Sequence, residues 1–164
     1  LAGISVSNKI HTGFYIPLTQ GQDLFSSSGV TKEEAVKEIQ RLFDDENLTL
    51  IFHDMKFIYK TLRFNGLKDI RTSCIKNSKR FIDTMVASWI LSPDENGSEP
   101  YSLLNIAQKK LAVIKTDYDE VLAKGQTFFD MSEENACNFV CEKSDITLQL
   151  WPALEVYVKK YYVD

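Results

Sequence analysis

The chain has 164 residues, of which 44% are hydrophobic and 26% charged, a balance that suits one soluble globular domain and excludes disordered and collagen-like chains. Its net charge of −4 repels phosphate overall, so general DNA binding is not expected and any nucleic-acid contact has to be local. Three cysteines, an odd number, fit a reducing cytoplasm, and no apolar run reaches the ~18 residues of a membrane helix. The sequence opens on Leu1-Ala2-Gly3-Ile4 without a Met and reads as a piece of a longer protein.

Gly3 to Ser7 alternates apolar and polar residues, a polar turn spans Asn8 to Thr12, and Phe14 to Leu18 repeats the strand signal, which predicts a hairpin. Pro17 belongs at a strand end or edge because it cannot donate to a ladder. Gln20 to Gly29 has loop composition. Thr31 with Glu34 forms a capping box, and Ala35, Val36, Ile39, Leu42 and Phe43 recur on one face, so a helix starts there. Leu48 to Phe52 reads as a buried strand. Asp54 should cap a helix running to about Asn65, with Gly66 in the stop position.

Lys68, Arg71, Lys76, Lys79 and Arg80 form a basic connection, with a strand expected at Arg80-Phe81-Ile82. Asp83 should cap a further helix through Leu91. Ser92 to Gly97 is a turn, and Tyr101 to Leu111 returns to helix. Ser132 opens a long helical pattern in which Ala136, Phe139, Val140, Ile146 and Leu150 are spaced for burial, with Pro152 expected to kink or restart it. Strands first, then strands alternating with helices, predict an α/β layered domain.

Generic catalytic signatures are scarce. His11 lies in a turn and His53 at a strand end, with no nucleophile at a recognisable spacing, so both read as structural. Cys137 and Cys141 stand one helical turn apart, but structural zinc usually needs four N/S ligands, and two small buried thiols are the better reading.

Three segments read together carry a resemblance. Leu50-Ile51-Phe52-His53-Asp54-Met55-Lys56-Phe57-Ile58 is similar to a strand, Gly-Gln-Asn-Leu-Lys-Tyr-Asp, and a helix. Phe81 to Leu91 with Tyr101 to Ala107 resembles a Phe-Asp-Thr-Met-Leu and Ser-Leu pair of segments. Ala123 to Phe128 with Asn138 to Leu150 resembles a last motif and its helix. The family is the 3′-to-5′ proofreading exonuclease domain of bacterial DNA polymerase I. The resemblance covers nearly the whole chain and implies a ribonuclease H-like fold, an α/β mixed sheet flanked by helices.

Active members hold two Mg²⁺ or Mn²⁺ ions with four carboxylates, because hard cations about 4 Å apart need a dense cluster of oxygens. Carried over residue by residue, the second-motif aspartate falls on Ile58, which has no oxygen to offer. The third-motif tyrosine falls on Phe139, without the hydroxyl that would orient water, and its aspartate falls on Lys143. An ammonium facing a dication at ~4 Å costs on the order of several kcal/mol even at an effective dielectric near 20. The first motif, Asp-x-Glu, lies upstream of Gly3 in the family and has no counterpart here, so a fragment lacking that strand is expected. Asp54 sits a turn from Ile58 and is better read as a helix cap; Asp145 faces away from Lys143.

The resemblance therefore implies one exonuclease-like domain over residues 1–164, without intact catalytic residues or a metal cofactor, kept as a cytoplasmic, monomeric scaffold for a downstream polymerase module. DNA would be met through the parent protein, with Asp54, Lys56 and Tyr118 as nucleic-acid contacts and no membrane involved. A basic run with stacking rings is what single-stranded DNA would need, though such runs are more often solvated faces. Two competing readings are an active nuclease that uses the missing upstream carboxylates with Asp54, and a stand-alone interaction module.

Overall fold

In a computed structural model, residues 1–18, 30–70, 76–97, 99–113, 122 and 125–162 are described. Tyr118, Arg71 and the Gln20–Gly29 loop of the sequence reading fall outside them. Strand β1 (Gly3–Val6) pairs antiparallel with β2 (Phe14–Pro17), in register from Gly3 opposite Pro17 to Val6 opposite Phe14. The intervening turn is tied by the Thr12 hydroxyl, which donates to the Lys9 carbonyl at 2.6 Å. Pro17, on the last paired position of β2, takes the strand-end place its missing N–H requires.

Helix α1 (Lys32–Asp44) begins with the expected capping box: Glu34 N–H donates to Thr31 Oγ1 at 3.2 Å, and Thr31 N–H donates to Glu34 Oε2 at 3.1 Å. Those bonds from Thr31 hold the exposed Glu34 carboxyl below its usual pKa. Strand β3 (Leu50–Phe52) leads into α2 (Met55–Phe64), and β4 (Phe81–Asp83) leads into α3 (Thr84–Leu91). The two strands pair in parallel, Leu50 opposite Phe81 and Phe52 opposite Asp83. Gly66, at φ 107°, follows α2 in the left-handed conformation that glycine adopts without a Cβ clash.

Helix α4 spans Leu103–Leu111 and starts two residues later than the sequence pattern suggests, because the Ser102 hydroxyl accepts from Asn105 N–H and sets the cap there. Helix α5 runs unbroken from Glu133 to Tyr162 with Pro152 inside it, so the expected restart does not occur. Pro152 lacks an N–H for the Leu148 carbonyl, but its neighbours Leu150 and Leu154 are fully buried and hold the segment in place.

Two apolar clusters result. One gathers Ala87 of α3, Ile106 and Ala107 of α4, and Ile146, Leu150 and Leu154 of α5. The other gathers Val36 and Phe43 of α1, Leu62 of α2, Leu67 and Ile70. Phe43 stacks on Phe52 at 5.8 Å and on Phe81 at 5.9 Å, which seats α1 on the parallel pair. The N-terminal hairpin lies against α5. Gly13 meets it so closely that an added Cβ would stand 2.6 Å from the Cys141 Cβ, so only glycine fits.

Among the described residues the strands form two separate pairs rather than the single mixed sheet expected from the resemblance.

Candidate functional site

The ends of β3 and β4 bring the starts of α2 and α3 together, and unsatisfied N–H groups converge there. Asp83 satisfies four of them. Its carboxylate accepts from Met85 N–H at 2.9 Å and Val86 N–H at 3.3 Å on its own helix, and from Asp54 N–H at 3.2 Å and Met55 N–H at 2.8 Å on the other. Asp54 adopts φ 59° and ψ 63°, a left-handed conformation that a short carboxylate tolerates, and caps α2 by accepting from Phe57 N–H at 3.1 Å. Its carboxylate is thus engaged in the fold, in line with the capping role read from sequence.

His53 completes the cluster. Its Nδ1 lies 2.9 Å from Thr84 Oγ1, and that hydroxyl donates to the Phe52 carbonyl at 3.1 Å. Thr84 is fully buried. Burial pulls the His53 pKa below its ordinary value, outweighing Asp83, the Tyr101 main-chain carbonyl and Asp54, which all favour the protonated ring. The sequence predicts a cap at Asp83 but not this hub, in which one carboxylate serves two helices. An Asp-Thr pair straight after a buried strand is the local signal that could have found it.

The positions onto which the resemblance carries the metal ligands have another character. Ile58 is half-buried and packs with Leu50, Phe52 and Met55 against the cluster of Val36, Phe43 and Leu62. Phe139 is buried, and the Lys143 ammonium sits 4.2 Å from the centre of its ring, a cation–π contact along one helical turn. Asp145 accepts from His11 N–H at 2.7 Å and from Gln149 Nε2 at 2.7 Å, so it is committed elsewhere. Among the described residues no three His, Cys, Asp or Glu side chains stand together as a metal site. Neither Ile58 nor Lys143 presents an anionic oxygen.

The basic run is reordered by the fold. Arg80 is buried and precedes β4 in a 3₁₀ turn, Ser78–Arg80, rather than opening the strand. Its guanidinium donates to the carbonyls of Leu48 at 2.8 Å, Phe43 at 3.3 Å and Leu42 at 3.4 Å, and also to that of Asp45. These are orphan acceptors at and beyond the end of α1, where a cation also suits the helix dipole. Arg80 is therefore a structural cap and not part of a DNA-facing stripe. Lys68, Lys76 and Lys79 are exposed, as is Lys56 on the first turn of α2.

Cys137 and Cys141 are half-buried rather than buried, with sulfurs 3.8 Å apart. Burial, with Cys137 beside it, pushes the Cys141 thiol up to about 11.

Residues 2–159 match the family described as 3′-5′ exonuclease. The chain belongs to the 3′-5′ exonuclease family. Its arrangement of helices and small sheets accords with the ribonuclease H-like fold of that family. DNA polymerase I of Treponema pallidum is 33% identical over 124 residues, which cover 76% of this chain and 12% of that protein. DNA polymerase I of Borreliella burgdorferi is 28% identical over 164 residues, 100% of this chain and 16% of the relative. DNA polymerase I of Rhizobium leguminosarum is 22% identical over 151 residues, 86% of this chain and 14% of that protein. The chain thus spans 12–16% of the length of these relatives. No helix among the described residues is long and apolar enough to cross a membrane.

Proposed function

We propose that this chain is a 3′-5′ exonuclease domain of a bacterial DNA polymerase I that has lost proofreading and serves as a scaffold for the polymerase module. The carrying observation is the pair of ligand positions on Ile58 and Lys143. One is an alkyl side chain engaged with an apolar cluster, and the other is an ammonium resting on Phe139. Neither offers an anionic oxygen, and a cation in a metal position opposes two-metal hydrolysis of a phosphodiester. The capping bonds of Asp83, Asp54 and Thr31 support a domain whose packing is kept while its ligands have changed.

On this reading DNA is engaged by the parent protein in the cytoplasm, the chain acts as a monomer, and no Mg²⁺ or Mn²⁺ is held at the family's metal positions. Asp54, Lys56 and Tyr118 are the residues through which a DNA end would still be touched.

The test is release of nucleotides from a 3′-labelled single strand with Mg²⁺ or Mn²⁺. No release is expected, and deleting the domain from the parent should destabilise the polymerase without altering its error rate. Release that Asp54→Asn abolishes would instead establish a working nuclease. Supplying an upstream Asp-x-Glu together with Ile58→Asp, Phe139→Tyr and Lys143→Asp should return Mn²⁺ binding. A folded variant that binds none would show that these positions are misaligned.

A further inference from the structure

We propose that Cys137 and Cys141 form a two-sulfur site for a soft, thiophilic metal ion, separate in chemistry from the oxygen-rich site of the family. The residues are one turn apart on α5, and their sulfurs lie 3.8 Å apart. Two thiolates on one tetrahedral centre at about 2.3 Å stand about 3.8 Å from each other, so the side chains are already set at a ligating separation. The helix backbone fixes both Cα positions, and closing the chelate requires no rearrangement of the chain.

The surroundings hold Cys141 as a thiol, pushed up to about 11 by burial and by Cys137, so a metal ion has to displace the proton to bind there. Both thiols are half-buried, and the hairpin turn covers Cys141, with Gly13 in the closest approach. The Tyr15 phenol on β2 is near enough to Cys137 to feel it: its pKa is raised by burial first, then by Glu133 and by Cys137. No third His, Cys, Asp or Glu among the described residues joins the pair, so water or an exogenous thiol completes the shell and the site stays open on one side. Thiolate ligands select soft ions such as Cd²⁺, Zn²⁺ or Cu⁺ and reject Mg²⁺. For a dication the reaction balances as one ion and two thiols giving one bis-thiolate complex and two protons released to the buffer.

Cadmium is the probe. Titrating the reduced, metal-free protein with Cd²⁺ should produce an ultraviolet thiolate-to-metal charge-transfer band that saturates at one ion per chain with two protons released. Cys137→Ser and Cys141→Ser should each weaken binding by at least about tenfold, since one thiolate alone is a monodentate ligand. Cys74→Ser should leave the band unchanged. Absence of the band in the wild type, its persistence in the Cys137→Ser/Cys141→Ser protein, or its loss in Cys74→Ser would each overturn the proposal. The wild-type titration decides the matter even where a serine variant fails to fold. Because Mn²⁺ binding and nuclease activity are not read here, failure of this inference is distinct from failure of the scaffold reading.

Discussion

The end of the parallel strand pair and the α3–α4–α5 helix layer are both tightly held, but by different physics. At the strand ends the work is polar: Asp83, Asp54, His53 and Thr84 meet the N–H and carbonyl groups that two helix starts and a strand end leave open. In the helix layer it is apolar, with Ile146, Leu150 and Leu154 on successive turns of α5, all fully buried. Neither set of contacts includes Ile58, Phe139 or Lys143, so on the proposed reading those positions could change without dismantling either region. On the proposed reading, loss of an active site and persistence of a fold are compatible because they depend on separate residues.

The comparison breaks most visibly in the apolar region. Leu150→Ala should cost about 3–4 kcal/mol, measured by urea denaturation, because a fully enclosed side chain leaves a cavity that three packed helices cannot close. A loss under about 1 kcal/mol would mean the helix layer is loosely packed and that α5 is held mainly by the hairpin.

The polar region should respond less, yet across two helices at once. Asp83→Ala removes the acceptor for four N–H groups, two on α2 and its cap and two on α3, and should cost about 2–3 kcal/mol. Asp83→Asn keeps one acceptor oxygen and should lose clearly less. If alanine and asparagine prove equally damaging, the carboxylate's charge at the converging helix dipoles matters more than its hydrogen bonds. If neither is damaging, the hub does not join α2 to α3.

Much of this was legible locally. Thr31, Asp54 and Asp83 announce helix starts because capping is a matter of three or four consecutive residues, and all three cap as read. Arg80 was not legible. Its carbonyl partners lie 32–38 residues back in the chain, and a basic residue among lysines looks like a solvated face until the fold buries it. At Pro152 only the restart fails, since the helix runs on through it between the buried Leu150 and Leu154. The two-helix role of Asp83 depends on β3 and β4 being parallel neighbours, a pairing no single segment encodes. At the candidate site, the identities of Ile58, Phe139 and Lys143 were read directly, whereas the ammonium lying on the Phe139 ring required the helix geometry.

The finest distinction between the two regions is sensitivity to pH, which the apolar layer lacks and His53 supplies. Burial holds the folded-state pKa of His53 below the unfolded value near 6.5. As pH falls, the unfolded chain takes up the proton first, so the contribution of His53 is complete above about pH 6.5 and declines as pH drops toward the folded-state pKa. His53→Gln keeps a polar side chain at the strand end but cannot titrate. The difference in melting temperature between wild type and this variant should therefore shift against the wild type between about pH 7.5 and 5.5. Parallel profiles would show that the ring stays protonated as readily in the folded chain as in the unfolded one. Asp83, the Tyr101 carbonyl and Asp54 would then just balance burial, whereas a shift in favour of the wild type at low pH would mean that they outweigh it.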